Sequence, residues 1–87
     1  MSDPMSEPKT ISIKYYAALR EQAGRSEEQR STSAGSALAL YQELAQDYGF
    51  SLLEKQLKVA INSAYQPLST ELKSGDTIVF IPPVAGG

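Results

Sequence analysis

The sequence predicts an α+β fold in which one main helix packs on one face of a mixed sheet. Three observations carry this expectation. Residues 10–16 and 57–62 alternate apolar and polar side chains with period two, as half-buried strands do. Residues 36–48 place Ala37, Leu40, Tyr41, Leu44 and Tyr48 at helical spacing, in one apolar stripe. Residues 77–81 form a β-prone run that is apolar on both faces, as a central strand is.

The elements follow in order. Residues 1–8, MSDPMSEP, hold two prolines, two acids and two serines, and read as a flexible arm outside the fold. In the first strand Ile11, Ile13 and Tyr15 share one face, and Ser12, Lys14 and Tyr16 the other. Residues 17–23 suit a short helical turn closed by Gly24. Residues 25–33 are polar throughout. Their place in the chain makes them a candidate edge strand returning from the first, with Glu27 and Glu28 on a solvated rim. Ser36 is positioned to cap the main helix, and Gly49 to end it, with Phe50 as the apolar residue that follows.

Leu57, Val59 and Ile61 form the inward side of the next strand, and Asn62-Ser63 a turn. Residues 65–72 suit a short irregular strand and loop, and Gly75-Asp76 a second turn. Pro82-Pro83 stops the last strand and sends the chain on a stiff, extended course. If the first and last strands are parallel neighbours, the main helix supplies the crossover between them. One helix over such a mixed sheet is the β-grasp arrangement. The expected organisation is thus an arm over 1–8, a domain over 9–81 and a tail over 82–87.

Composition excludes several function classes. The 87 residues suffice for one small domain, and 41% of them are apolar. Cysteine and histidine are both absent. Disulfides, cysteine metal sites and Ser–His or Cys–His nucleophilic machinery are therefore ruled out within the chain. A net charge of −2 without a basic block argues against nucleic acid as a partner. No apolar run approaches the ~20 residues that span a bilayer. The N-terminus does not resemble a signal peptide, so a cytoplasmic setting is expected.

The chemistry-bearing segment is the last six residues, Pro82-Pro83-Val84-Ala85-Gly86-Gly87. At average composition a chain ends in Gly-Gly about once in 200. No charged side chain follows Asp76. Extended, the six residues reach about 20 Å. Glycines make a tip that is thin and conformationally free. Such a tip can carry one carboxylate, that of Gly87, into a deep site on another protein. A carboxylate is ionised at neutral pH and is a poor electrophile. Adenylation by ATP would activate it, and a sulfur donor would then leave a thiocarboxylate. The same glycines also fit a tail that is merely flexible.

Outside the core, Tyr16, Val79 and Ile81 are expected on the sheet face away from the helix, with Tyr65 able to join them. Such an apolar patch suggests a partner surface, although half-buried sheet residues would give the same pattern. Arg20 and Glu21 read as turn surface or a local ion pair.

Four segments, in order, resemble one family. They are Tyr15-Tyr16-Ala17-Ala18-Leu19-Arg20-Glu21, Val59-Ala60-Ile61-Asn62, Leu72-Lys73-Ser74-Gly75-Asp76-Thr77-Ile78 and Ile81-Pro82-Pro83-Val84-Ala85-Gly86-Gly87. The chain resembles the small, sulfur-carrier subunit of molybdopterin synthase, a ubiquitin-like carrier, over residues 9–87. It departs from that pattern at residues 26–33, which lack the expected apolar positions, and in its N-terminal arm.

The resemblance implies that Gly87, with Gly86 beside it, is adenylated by an ATP-dependent activating enzyme of the ubiquitin-activating type. It further implies conversion to a thiocarboxylate with sulfur from a donor protein, then transfer to cyclic pyranopterin monophosphate on a large subunit, building the molybdopterin dithiolene. Two small and two large subunits would assemble as a heterotetramer. Tyr16, Tyr65, Val79, Ile81, Pro82, Pro83 and Val84 would contact the partner. No cofactor would be held permanently, no metal bound, and ATP would serve only the activating enzyme. Pterin-binding side chains would lie mainly on the large subunit. Two alternatives are a carrier for thiamine synthesis or tRNA thiolation, and a non-catalytic ubiquitin-like interaction module.

Overall fold

The computed structural model describes residues 8–83. The alternation at the start of the chain produces strand β1 (Lys9–Tyr15), in which Ile11, Ile13 and Tyr15 are buried. A one-residue step at Tyr16 leads into helix α1 (Ala17–Ala23), which buries Leu19. Gly24 ends α1 in the left-handed region, φ 74°, and its N–H donates to the Arg20 carbonyl. Strand β2 (Glu27–Thr32), helix α2 (Ala37–Tyr48), strand β3 (Lys58–Ile61), strand β4 (Ala64–Gln66) and strand β5 (Thr77–Ile81) follow, with a 3-10 turn at Glu54–Gln56 before β3.

The five strands form one sheet in the order β2-β1-β5-β3-β4. β1 and β5 are parallel, with Ile13 opposite Ile78 and Tyr15 opposite Phe80. The other neighbouring pairs are antiparallel. The fold is the β-grasp, with the first and last strands adjacent as predicted. Residues 1–7 of the N-terminal arm and residues 84–87 of the tail, with Val84, Gly86 and Gly87, lie outside the described residues.

Helix α2 covers the inner face of the sheet. Ala37, Leu40, Tyr41 and Leu44 are buried against Ile11, Ile13, Val59, Ile78 and Phe80 in one core. Ser36 caps the helix, its hydroxyl accepting from the Ala39 N–H at 3.2 Å. The first two helical N–H groups find partners that the sequence did not suggest. Those of Ala37 and Leu38 donate to the carbonyls of Thr70 and Leu68, on the loop between β4 and β5. That loop therefore satisfies donors that every helix start leaves open. Gly49 ends α2 at φ 73°, and Phe50 stacks on Tyr41 with ring centres 5.7 Å apart.

Strand β2 is the edge strand expected from residues 25–33, but Glu28 is not on a solvated rim. Glu28, Arg30 and Thr32 turn toward α2, while Glu27, Gln29 and Ser31 are exposed. The alternation is present, but in polar residues. The reason lies on the helix: β2 meets its margin, which carries Glu43, Asp47 and the Tyr48 hydroxyl. Arg30 donates to Glu28, Glu43 and Asp47 at 3.3, 2.8 and 2.6 Å. Thr32 donates to Glu43 at 2.7 Å, and Tyr15 to Glu28 at 2.8 Å. Tyr48 donates to the same Glu28 oxygen.

This network sets the ionisation of its members. Burial drives the Glu28 carboxyl upward, but hydrogen bonds from Tyr48, Tyr15 and Arg30 outweigh it and hold it below the ordinary 4.5. Burial, then the bond to Glu28, pushes the Tyr15 phenol far up, so it stays a neutral donor. Burial alone would lower Arg30, but its carboxylate partners raise it.

Glu28 titrates lower in the folded chain than in the unfolded one. Its stabilisation is therefore complete above the ordinary carboxylate value and is lost as pH falls through the lower folded value. Glu28→Gln should cost about 1–2 kcal/mol at neutral pH by removing charge-assisted bonds. The deficit relative to the parent chain should shrink as pH drops below 4.5. Urea midpoints measured across pH test this, and parallel curves for the two chains would exclude it.

Candidate functional site

The outer face of the sheet is built by the other half of each alternation. On β5, Ile78 and Phe80 point into the core, so Thr77, Val79 and Ile81 point outward. Pairing fixes their neighbours. Val79 lies between Lys14 on β1 and Ala60 on β3, and Ala60 lies opposite Tyr65 on β4. One row thus runs Lys14, Val79, Ala60, Tyr65 across four strands. Ile81 pairs with Lys58 on its other side.

Above this row, β5 and the end of β1 form an apolar groove of about 430 Å³. Tyr16, Ala17, Ala18, Leu52, Ile81, Pro82 and Pro83 line it. Tyr16 is 49% exposed and Tyr65 73% exposed. The ladder of β5 ends at Ile81, and the two prolines continue directly from it. Pro82 and Pro83 therefore leave the middle of the sheet beside the exposed Tyr16 ring.

Tyr16, Val79, Ile81 and Tyr65 lie on the sheet face away from the helix, as strand parity predicted, and Pro82 and Pro83 border the groove beside Tyr16. Val84, Gly86 and Gly87 are outside the described residues. Tyr65 stands apart from the groove itself, on β4, with two strands between it and β1. It borders a cleft of about 690 Å³ at the β4 edge, with Leu57, Pro67 and Leu68. The sequence reading missed Ala17, Ala18, Leu52 and Ala60. Ala60 was recoverable from alternation, as the outward residue between Val59 and Ile61. Ala17 was not, since it takes a positive φ of 51° that nothing in its identity announces.

The turn at Asn62-Ser63 anchors the strand that carries the site. Both residues lie in the left-handed region, φ 54° and 73°. The Asn62 side-chain oxygen accepts from the Thr77 N–H at 2.9 Å, and its amide donates to Asp76 at 2.9 Å. Asp76 also accepts from the Lys73 N–H at 2.8 Å. Asn62 is thus a turn residue, as expected, and also a clamp on the first residue of β5. Arg20 and Glu21 are exposed on helix α1.

Among the described residues, no group of three His, Cys, Asp or Glu side chains is arranged to hold a metal ion. The carboxylates that do converge, Glu28, Glu43 and Asp47, surround Arg30 on the helix side of the sheet, away from the groove. No helix among the described residues is long and apolar enough to cross a membrane. What the outer face offers is a shape, an apolar platform from which the C-terminal segment begins.

Comparison with known proteins assigns this arrangement. The model of the ThiS family matches residues 13–87, from the middle of β1 to the final glycine. The molybdopterin synthase sulfur carrier subunit of Haemophilus influenzae is 35% identical over 80 residues, covering 88% of this chain and 99% of the relative. The chain belongs to the ThiS family, as a sulfur carrier of the molybdopterin synthase kind. The resemblance read from the four segments is thereby confirmed.

Solved structures share the fold. Small archaeal modifier protein 1 from Methanosarcina acetivorans superposes with a TM-score of 0.71 at 26% identity, covering 92% of this chain and 98% of that one. Subunits 1 and 2 of molybdopterin-converting factor from Helicobacter pylori have been solved as a protein–protein complex. The match there has a TM-score of 0.59 at 25% identity, over 90% of this ThiS-family chain and 99% of that one.

Because the Asn62 clamp holds the root of β5, its loss should be felt there first. Asn62→Ala removes two hydrogen bonds and puts a β-carbon without a polar tip at φ 54°. It should cost about 1–2 kcal/mol, and Asn62→Gly less, because glycine tolerates that φ. Thermal unfolding of both variants, with amide exchange at Thr77, measures this. Equal losses for Ala and Gly would show that backbone strain plays no part.

Proposed function

We propose that this carrier delivers sulfur through the terminal carboxylate of Gly87, in the cytoplasm, as the small subunit of molybdopterin synthase. One observation carries the reading. The β5 ladder ends in Pro82-Pro83 within an exposed apolar groove, so the segment leading to Gly87 starts from a surface suited to a partner. The family match reaching Gly87 supports it.

The chemistry balances as follows. A Gly87 carboxylate oxygen attacks the α-phosphorus of ATP in an activating enzyme of the ubiquitin-activating type, and pyrophosphate leaves. A sulfur nucleophile on a donor protein attacks the acyl carbon, and AMP leaves. With a persulfide as that donor sulfur the adduct is an acyl disulfide. A thiol then attacks the donor-side sulfur, the S–S bond breaks, a disulfide is left on the donor and the thiocarboxylate departs. The carrier docks through Tyr16, Tyr65, Val79, Ile81, Pro82, Pro83 and Val84 onto the large subunit, with Gly86 and Gly87 entering its active site. Each carrier gives one sulfur to cyclic pyranopterin monophosphate, so two deliveries complete the dithiolene. The carrier holds no cofactor of its own, and ATP is spent by the activating enzyme.

Two measurements test this. Incubation with the activating enzyme, ATP and a sulfur donor should raise the intact mass by one oxygen-to-sulfur exchange. Deleting Gly87 should abolish the change and leave the melting temperature untouched. An unmodified parent chain would favour an interaction module without chemistry.

The thiocarboxylate form, mixed with the large subunit and cyclic pyranopterin monophosphate, should yield dithiolene product. Tyr16→Asp should weaken docking roughly tenfold or more by placing a charge at the centre of an apolar contact. A chain that gains sulfur yet makes no dithiolene would be a carrier for another pathway, such as thiamine synthesis or tRNA thiolation.

A further inference from the structure

The outer sheet face carries charge as well as apolar surface, and its charge opposes that of the molecule. The chain is net negative, at −2. Lys14 and Lys58 nevertheless project from the outer face on either side of β5, paired in register with Val79 and Ile81. Both are exposed. Among the described residues, neither lies within ion-pair distance of a carboxylate, although Glu27 stands opposite Lys14 across the β1–β2 pair. The acids Glu28, Glu43 and Asp47 are gathered around Arg30 on the other side of the sheet.

Strand geometry fixes the spacing. The two lysines are separated by two inter-strand steps and two residues along the strand, so their α-carbons lie about 12 Å apart on a diagonal over β5. Val79 and Ile81 fill the space between them. An apolar centre with charges at its margin is the anatomy of a protein interface. Two lysines are too few to hold nucleic acid, which rewards a continuous basic track.

We infer that Lys14 and Lys58 form a diagonal electrostatic clamp across β5, and that the docking partner presents two acidic side chains that straddle the strand. This rests on the docking role proposed above for Tyr16 and Ile81. The lysines lie at the rim, so they act chiefly on the rate of encounter and on the register of docking rather than on the packing of the centre. The alignment would fix which way the C-terminal segment points when the two surfaces meet.

The test is docking of the full chain to the large subunit, followed by stopped-flow or surface methods from about 50 to 500 mM salt. The parent chain should associate more slowly as salt rises. Lys14→Glu/Lys58→Glu should associate roughly tenfold more slowly at low salt and lose or reverse the salt dependence. Lys14→Gln/Lys58→Gln should fall between, with a flat profile. Circular dichroism melts confirm that each variant folds.

If the double reversal associates as the parent does, with the same salt slope, the clamp is wrong while the docking reading stands. If the parent chain does not bind the large subunit at all, the docking reading fails and the clamp with it. Vesicles containing phosphatidylserine form a second arm. Lysine-dependent binding to them, with protein docking unaffected by the substitutions, would assign this face to membranes and overturn the proposal.

Discussion

Everything functional in this molecule depends on the parallel pairing of β1 with β5. That pairing places the last strand in the middle of the sheet, bonded along both edges, with Ile78 and Phe80 fully buried beneath it. A strand held on two sides opens only when the domain as a whole unfolds. The chain therefore reaches Pro82 from a strand that is paired along both edges. Had the last strand been an edge, the direction in which residues beyond Pro83 depart would vary with every fluctuation of that edge. The cost of the arrangement is the crossover, and α2 meets it while closing the core.

The sheet separates two tasks by face. The inner face, with α2, holds the apolar core and the ion network around Arg30. The outer face holds Tyr16, Val79, Ile81 and Tyr65, with lysines at the margin. Few residues serve both. Alternation along a strand allows this, because neighbouring residues face opposite ways. The Asn62 clamp is an exception of a useful kind, since it stands at the strand's start and serves the position of β5 rather than either face.

Most of the fold was legible because the core is apolar and its periods are clean. Ile11, Ile13, Tyr15, Val59 and Ile61 alternate, and Ala37, Leu40, Tyr41 and Leu44 fall on one helical stripe. Gly24, Gly49 and Gly75 all take a positive φ where the turns required it. β2 was harder to read, for a physical reason. Period-two patterns are recognised by hydrophobicity, and the inward residues of β2 are Glu28, Arg30 and Thr32. They are inward because the helix margin opposite them is acidic and phenolic, which is a tertiary fact. The capping of α2 by Thr70 and Leu68 was invisible for the same reason, since no local signal links residues thirty apart. In the site, the outward aromatic and β5 residues were legible from strand parity. Ala17 and Leu52 were not, because the groove arises from a strained turn and a loop packed beside it.

The composition then constrains how such a chain can contribute to chemistry. With neither histidine nor cysteine in the sequence, it supplies no side-chain base of the usual kind and no thiol nucleophile. On the function proposed above, its contribution to sulfur transfer is position. Binding energy gathered on the outer face, far from the reacting atom, is available to hold the terminal acyl carbon in line for attack. Substitutions on that face should thus act on turnover as well as affinity, because a docked carrier in the wrong register brings the same carboxylate to the wrong place. Under that proposal the apolar face of the sheet is a working part of the reaction, although no atom of it is changed.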